Sequence, residues 1–454
     1  MIQYNSQFQT KINEFNDLFN LGLDTSNRWV QLSSIMPWDK LVSVYAKKFD
    51  LMKGAKGVDP RIIIGALIIK HKLKLSDEET LQTISENPYM QVFIGLDTYS
   101  PTLLFSPSLF CEIRKKLGKE VFDKFNELLI KLSSPGEEKQ KDKNIEQPIN
   151  KGKLKIDASV ADQYIRYPND LGILNEVREN TEQLIDLLFA ELTWKTKPRT
   201  YRKVAHTRYV TMAKMKKKPK NKLRMEIRYQ LNCIDRNLKS IDKMLDEFNG
   251  FPLSHKYQKK LFVAHEVARQ QRYMYDNKVN RINDRIVSPS QPHVRPIVRG
   301  KQGRVVEFGS KLGLSLANGF VTNETLSWDA YNEASDLKIQ AESYKNLYGH
   351  YPDLIQADKI YWTNENRKWC TERDIRMTAV PKGKPVNKTA KQKRKEKKEY
   401  AERNHVEGKI GNAKQALNLN QIKAKLKETS ETWVGITIFV LNLSVFAKNF
   451  GITF

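Results

Sequence analysis

Tyr400-Ala-Glu-Arg403-Asn-His-Val-Glu407-Gly408-Lys-Ile-Gly411-Asn-Ala-Lys414 is the stretch on which the reading of the chain turns. It belongs to a long helix predicted from about Glu396 to Lys414. On that helix Tyr400, Arg403, Glu407 and Lys414 fall at steps of 3, 4 and 7, so one stripe carries a phenol, a guanidinium, a carboxylate and an ammonium. Such spacing normally marks an apolar core, and here it is polar. A surface ion-pair ladder, with Arg403 and Glu407 at i,i+4, would contribute about 0.3 to 0.5 kcal/mol and account for the charges. It leaves Gly408 and Gly411 unexplained, because each costs about 1 kcal/mol relative to Ala inside a helix. The glycines suggest that something packs very close to this face.

Working outward, two strands end or pass through a carboxylate. Asp353-Leu-Ile-Gln-Ala-Asp358 reads as a strand closing on Asp358, and ligands of open α/β sheets gather outside the carboxyl ends of strands. Taken alone, a strand-end Asp is more often a turn former or a helix cap than a functional carboxylate. Lys153-Leu-Lys-Ile-Asp157-Ala-Ser alternates, with Leu154 and Ile156 on one face and Lys153, Lys155 and Asp157 on the other. Strand-like sequence also occurs at Pro296-Ile-Val-Arg-Gly-Lys, Val305-Val-Glu-Phe and Leu312-Gly-Leu-Ser-Leu, with Gly300 and Gly303 as turn residues, predicting a hairpin or meander. A helix over Asn332–Leu347, an Asn364-capped helix to Arg373 and a strand over Arg376–Val380 complete an alternating pattern.

The flanks are helical. Asp59-Pro60, the Ser76/Glu79 capping box and Ser106-Pro107 each open a helix in the first 132 residues, and Phe110, Ile113, Leu117, Val121, Phe125 and Leu129 keep helical spacing. With basic faces at Arg114, Lys115 and Lys116, these helices fit a helix-turn-helix-like DNA-binding unit or a plain dimerisation module equally well. Ser133–Lys153 has the composition of a solvated linker. Runs from Leu223 to Phe248 and from Tyr257 to Ile282 read as an antiparallel helical hairpin.

Before that hairpin, Lys195–Arg228 holds fourteen Lys or Arg and a single acid, a net +13 over 34 residues. A run so basic is commonly a solvated loop. Its share of the net charge favours phosphate contact, by Lys216, Lys217 and Lys218 among others. Lys382–Lys398 is a second basic run.

The chain has 454 residues and a net charge of +26, which argues for two or three domains and for a polyanionic partner, nucleic acid before an anionic membrane. Hydrophobic residues at 40% are enough to build real cores despite 29% charged. Cys111, Cys233 and Cys370, far apart and in no paired spacing, exclude a disulfide framework and a zinc ribbon, and fit a reducing cytoplasm. The start lacks the pattern of a secretion signal. The apolar stretch Trp433–Phe446 is interrupted by Thr437, Asn442 and Ser444 and is short of the roughly 20 residues a bilayer needs, so it reads as a buried core element. Phosphate-loop and dinucleotide-binding glycine motifs do not occur.

Tyr400, Arg403, Glu407 and Lys414 reproduce the Y-R-E-K spacing of bacterial insertion-sequence transposases of the DDE class, and the chain resembles that family over roughly residues 30 to 450. Lys155-Ile-Asp157-Ala-Ser-Val followed by Arg166-Tyr-Pro-Asn-Asp170-Leu-Gly resembles its first-aspartate strand, and Gln356-Ala-Asp358-Lys-Ile-Tyr361 its second. Arg295–Lys301 and Val306-Glu-Phe-Gly309 look like its next strands, and Leu75–Leu96 is similar to its N-terminal domain. Asn169 and Ile360 depart from the pattern, which has Thr and Gly there, and neither is a carboxylate.

The resemblance implies an α/β ribonuclease-H-like catalytic core in which Asp157, Asp358 and Glu407 converge as the catalytic acids. Three convergent carboxylates repel unless divalent cations neutralise them, and hard oxygen ligands select Mg²⁺ or Mn²⁺, two ions in this chemistry. Tyr400, Arg403 and Lys414 are then DNA-phosphate contacts. The expected domains are a helical N-terminal DNA-binding or dimerisation domain over 1–132, a linker over 133–152, the catalytic domain over 153–174 and 285–454, and a helical insertion over 175–284. The expected activity is a transposase that binds terminal inverted repeats and cuts and joins DNA as a cytoplasmic homodimer, with no membrane partner. Alternatives are a catalytically silent DNA-binding regulator derived from a transposase and a resident nuclease on the same fold.

Overall fold

The computed structural model describes residues 4, 22–49, 57–133, 150–298, 306–378 and 389–454. The expected linker over 133–152, the turn glycines Gly300 and Gly303, the end of the strand expected to reach Val380 and the first part of the second basic run lie wholly or mostly outside them. The chain divides into two compact units, one of Met1–Asp162, Lys311–Ser327 and Tyr331–Phe454, the other of Gln163–Ser310 and Trp328–Ala330.

The first unit begins with helices α1 (Arg28–Ile35), α2 (Trp38–Ala46), α3 (Pro60–Leu73), α4 (Asp77–Glu86), α5 (Pro88–Ile94) and α6 (Ser108–Ser133), followed by strand β1 (Lys153–Asp162). The expected starts hold at atomic level. Asp59 Oδ1 accepts from Arg61 N at 2.7 Å with Pro60 at the first helical position, and Ser76 and Glu79 exchange both bonds of the capping box, at 3.1 and 2.8 Å. Gly118, at φ 69°, breaks α6 into two helical segments, a conformation that favours glycine. Arg114 departs from expectation. It is buried at 6% exposure, with both guanidinium Nη atoms on Asp77, and so adds nothing to a basic exposed face, whereas Lys115 and Lys116 are exposed.

The second unit contains α7 (Asp170–Ala190), α8 (Arg202–Lys214), α9 (Lys220–Leu245), α10 (His255–Asp276), strand β2 (Arg295–Val298) and the start of β3 (Val306–Ala317). The hairpin of α9 and α10 packs on α7 through a core that includes Leu184, Leu188, Leu231, Ile234 and Ile241. The Lys195–Arg228 run is mostly helical and not a loop: it supplies α8 and the first turns of α9, with Lys216, Lys217 and Lys218 exposed on the turn between them. Arg208, which places both Nε and Nη2 on the Glu226 carboxylate, at 2.8 and 2.9 Å, and lies 4.0 Å over the Tyr229 ring, is one reason the run folds.

The chain returns to the first unit with β4 (Phe320–Ser327), α11 (Asp336–Tyr348), β5 (Leu354–Gln356), α12 (Asn364–Thr371), β6 (Arg376–Thr378), α13 (Ala390–Ala416) and α14 (Lys427–Asn449). The sheet is mixed, with β1, β5 and β6 parallel neighbours and β3 antiparallel to β4 from Lys311 onward. Within this unit the strand order is β4-β3-β1-β5-β6. Leu154 and Ile156 of β1 join Leu337, Ala341 and Tyr344 of α11 in one core on the face away from Lys153, Lys155 and Asp157.

The apolar C-terminal stretch lies within a 23-residue helix, long and apolar enough to cross a membrane by length and composition, but 83% of that window is buried inside the protein. α14 packs on α6, α3 and β4, so the N-terminal helices and part of the sheet share one core. The polar interruptions of the apolar stretch are all hydrogen-bonded. Thr437 and Ser444 hydroxyls donate to backbone carbonyls one turn back, while Asn442 accepts from Val321 N at 2.8 Å and donates to Val321 O at 2.7 Å, closing the backbone of β4.

Candidate active site

β1 and β5 pair in parallel with Lys153 opposite Leu354, Leu154 opposite Ile355 and Lys155 opposite Gln356. Two residues further on each chain stand Asp157 and Asp358, so continuing the register sets the two aspartates side by side at the carboxyl end of the shorter strand. Each carboxylate is oriented by the amide that follows it: Asp157 Oδ1 accepts from Ala158 N at 2.9 Å, and Asp358 Oδ1 from Lys359 N at 2.7 Å, where Asp358 caps a single 3₁₀ turn.

α13 runs over this face, and three contacts fix it there. Gln356 Nε2 donates to Glu399 O at 2.6 Å, Arg376 makes a two-bond clamp on the Glu399 carboxylate at 2.8 and 2.6 Å, and Lys153 pairs with Glu402 at 2.7 Å. Lys155 Nζ reaches His405 Nδ1 at 3.4 Å. Strand residues 153 and 155 thus meet helix residues 402 and 405 in order, and the next residue on that strand face is Asp157. These anchors were not among the expected site residues. Their signal in the sequence is the spacing of Glu399, Glu402, Arg403 and Val406, a second stripe beside that of Tyr400, Arg403, Glu407 and Lys414.

Arg403 is the hub of the site. Its side chain is 8% exposed and its Nη2 donates to Glu407 Oε1 at 2.8 Å, while the guanidinium lies 5.3 Å from the Tyr400 ring centroid. Burial disfavours its charge, but the carboxylates of Glu407, Asp157 and Asp358 outweigh this and hold the guanidinium pKa above its ordinary value. All three expected acids therefore act on one buried cation. Arg403 Nε is buried without a hydrogen-bond partner, as is the hydroxyl of Tyr361, whose pKa burial raises well above its usual value, with the Asp157 charge among the lesser causes. Among the described residues no group of three His, Cys, Asp or Glu side chains is arranged to hold a metal ion.

The remaining stripe residues are placed differently. Tyr400 is exposed, and Lys414 is mostly buried with its Nζ 3.9 Å from Asp162 Oδ2. Gly408 and Gly411 correct the expectation of close packing. A Cβ added at either meets nothing within 4 Å, so no neighbour among the described residues requires them.

A family model described as a transposase DDE domain matches residues 355–444, which includes Asp358, α13 and α14. A second, described as Transposase domain (DUF772), matches residues 19–116. The two matches indicate an insertion-sequence transposase. The chain is also 26% identical over 159 residues to an uncharacterised protein, ORF8 in the nfe locus of Rhizobium meliloti, covering 34% of this chain and 73% of the relative. No solved structure matches it.

Proposed function

We propose that the transposase binds double-stranded DNA at the terminal inverted repeats of its element and performs metal-dependent strand cleavage and strand transfer on a ribonuclease-H-like core. The observation that carries this reading is the register of β1 and β5, which puts Asp157 beside Asp358 under α13, with Glu407 and both aspartates acting on Arg403. The mixed sheet flanked by helices and the DDE-domain match support the same reading.

Asp157, Asp358 and Glu407 offer hard oxygen donors, the set that suits Mg²⁺ or Mn²⁺; they are not arranged as a ligand set in the free chain, where Glu407 pairs with Arg403, and would close around two such ions. Bound there, the ions supply activation of a water or DNA 3′-hydroxyl and stabilisation of the leaving oxygen in an in-line displacement. The chain's own groups position the DNA. Arg403 holds Glu407 in place through Nη2 and sets a positive charge beside the carboxylates. The exposed Tyr400 hydroxyl donates to a neighbouring phosphate, and Lys414 contributes positive charge beside Asp162. Lys216, Lys217 and Lys218 supply sequence-independent attraction. The protein acts as a homodimer in the cytoplasm, with the N-terminal helices and the helical insertion over 175–284 holding DNA or the second copy.

The test is cleavage of a labelled duplex carrying the element's end by the full chain with Mg²⁺ or Mn²⁺. The reading expects end-specific nicks that need the metal. Equal cleavage of unrelated duplexes identifies a nuclease, and binding with no cleavage identifies a silent regulator.

A further inference from the structure

A cavity of about 170 Å³ opens in the first unit between α3, the start of α4, α6 and the approach to α14. Its deep lining is Lys70, His71, Arg114 and Trp433, each 7% exposed or less, and its rim carries the exposed Lys74, Ser76 and Lys423. One carboxylate, Asp77, lines it, and Lys70 and Arg114 both pair with it, at 3.0 and 2.8 Å, so the cavity keeps a surplus of positive charge.

Three of these lining residues carry buried polar atoms without hydrogen-bond partners: Nε of Arg114, Nε1 of Trp433 and Nε2 of His71. The first two can only donate, and the third donates or accepts with its protonation state. An orphaned buried donor costs on the order of 1–3 kcal/mol, so two obligate donors on one cavity, with the His71 ring beside them, call for a ligand. α4 also begins here, with its N-cap at Ser76 and the positive end of its dipole.

We propose that this cavity is a phosphate-binding site, built for one phosphate group by the Arg114 and Trp433 donors, His71 and the rim lysine Lys423. A hydrogen phosphate ion or a backbone phosphodiester satisfies the two obligate donors, and the cationic surplus favours an anion over a cation. The site is separate from the carboxylates of the candidate active site and does not depend on that assignment.

Isothermal titration of the full chain with inorganic phosphate tests it, with Lys423→Glu and Trp433→Phe in parallel. The exposed Lys423 can be reversed without disturbing the core, and Trp433→Phe removes one donor while keeping a ring. Saturable binding by the wild type is expected, weakened on the order of tenfold or more in each variant, the loss expected of a hydrogen bond to a charged group. If duplex DNA displaces the phosphate, the natural ligand is the DNA backbone; if phosphate stays bound alongside saturating duplex, it is a free anion. No binding by the wild type, or equal binding by wild type and Lys423→Glu, overturns the proposal. Metal-dependent cleavage measured on the same samples reads the candidate active site independently.

Discussion

On α13, Glu399 is clamped by Arg376, Glu402 by Lys153 and Glu407 by Arg403, whereas on the turn between α8 and α9 Lys216 and Lys217 are exposed and make no ion pair among the described residues. Both regions are rich in charge, and they use it in opposite ways. A paired, half-buried charge has a fixed position and a field that reaches chosen neighbours, which is what a reacting phosphate requires. An exposed lysine on a turn has no fixed geometry and attracts any duplex, which is what sequence-independent affinity requires. The difference predicts that substitutions on the helix act on rate and those on the turn act on binding.

The largest effect belongs to the acids. Asp157→Asn, Asp358→Asn or Glu407→Gln should each lower strand cleavage by more than about a hundredfold, since even outer-shell partners of a metal site are worth 10- to 100-fold. Affinity for the same duplex should be unchanged or slightly higher, because each change removes a negative charge near phosphate. Cleavage and gel-shift assays on one fragment separate the two, and near-normal cleavage by any variant removes that residue from the site.

Arg403→Ala should come next. A misplaced reacting group costs up to about a hundredfold in rate, so the cleavage rate should fall by roughly 10- to 100-fold while the dissociation constant moves much less. A variant that loses affinity and keeps its rate at saturating protein would put Arg403 in the same class as the turn lysines and erase the contrast.

The turn itself is tested by replacing Lys216, Lys217 and Lys218 with Gln. Affinity for all duplexes should weaken about equally, and the slope of log K against log salt should flatten by up to about 0.9 per lost contact, with cleavage at saturation preserved. Unchanged slopes would make these lysines a solvated turn.

The smallest effect concerns the anchoring of α13. The bidentate Arg376 contact, which outweighs burial, holds the Glu399 carboxyl below its ordinary pKa. A carboxyl depressed in the folded state stabilises the protein above its unfolded pKa of about 4.3 and loses that contribution as pH falls through the lower folded value. Stability measured by urea titration should therefore fall more steeply below about pH 4.3 in the wild type than in Glu399→Gln. Parallel curves would mean that the clamp adds no net stability.

Much of this arrangement was legible in the sequence, because caps, strand alternation and the polar stripe are local signals. The Asp59, Ser76 and Asp358 positions are occupied as the residues suggested. Strand β4 was missed although Asn318-Gly319 announces it: both residues have positive φ, 50° and 88°, as a two-residue hairpin turn requires. Two strand-like pieces around Phe308 and Leu314 proved to be one strand, because Gly309 does not interrupt it. Helical spacing puts Arg114 on a basic exposed face, since it cannot reveal that Asp77, on another helix, draws the side chain inward. The clamp on Glu399 joins β6 to α13, and no local pattern records such a partner.

The central claim is that Asp157, Asp358 and Glu407 gather around one metal site. Iron(II) in place of Mg²⁺ generates hydroxyl radicals where it binds, so brief treatment of the full chain bound to an end duplex with iron(II), ascorbate and peroxide should cut the polypeptide beside residues 157, 358 and 407, and excess Mg²⁺ should suppress the cuts. Backbone cuts confined to other segments, or the same cuts in Asp157→Asn as in the wild type, would contradict the account.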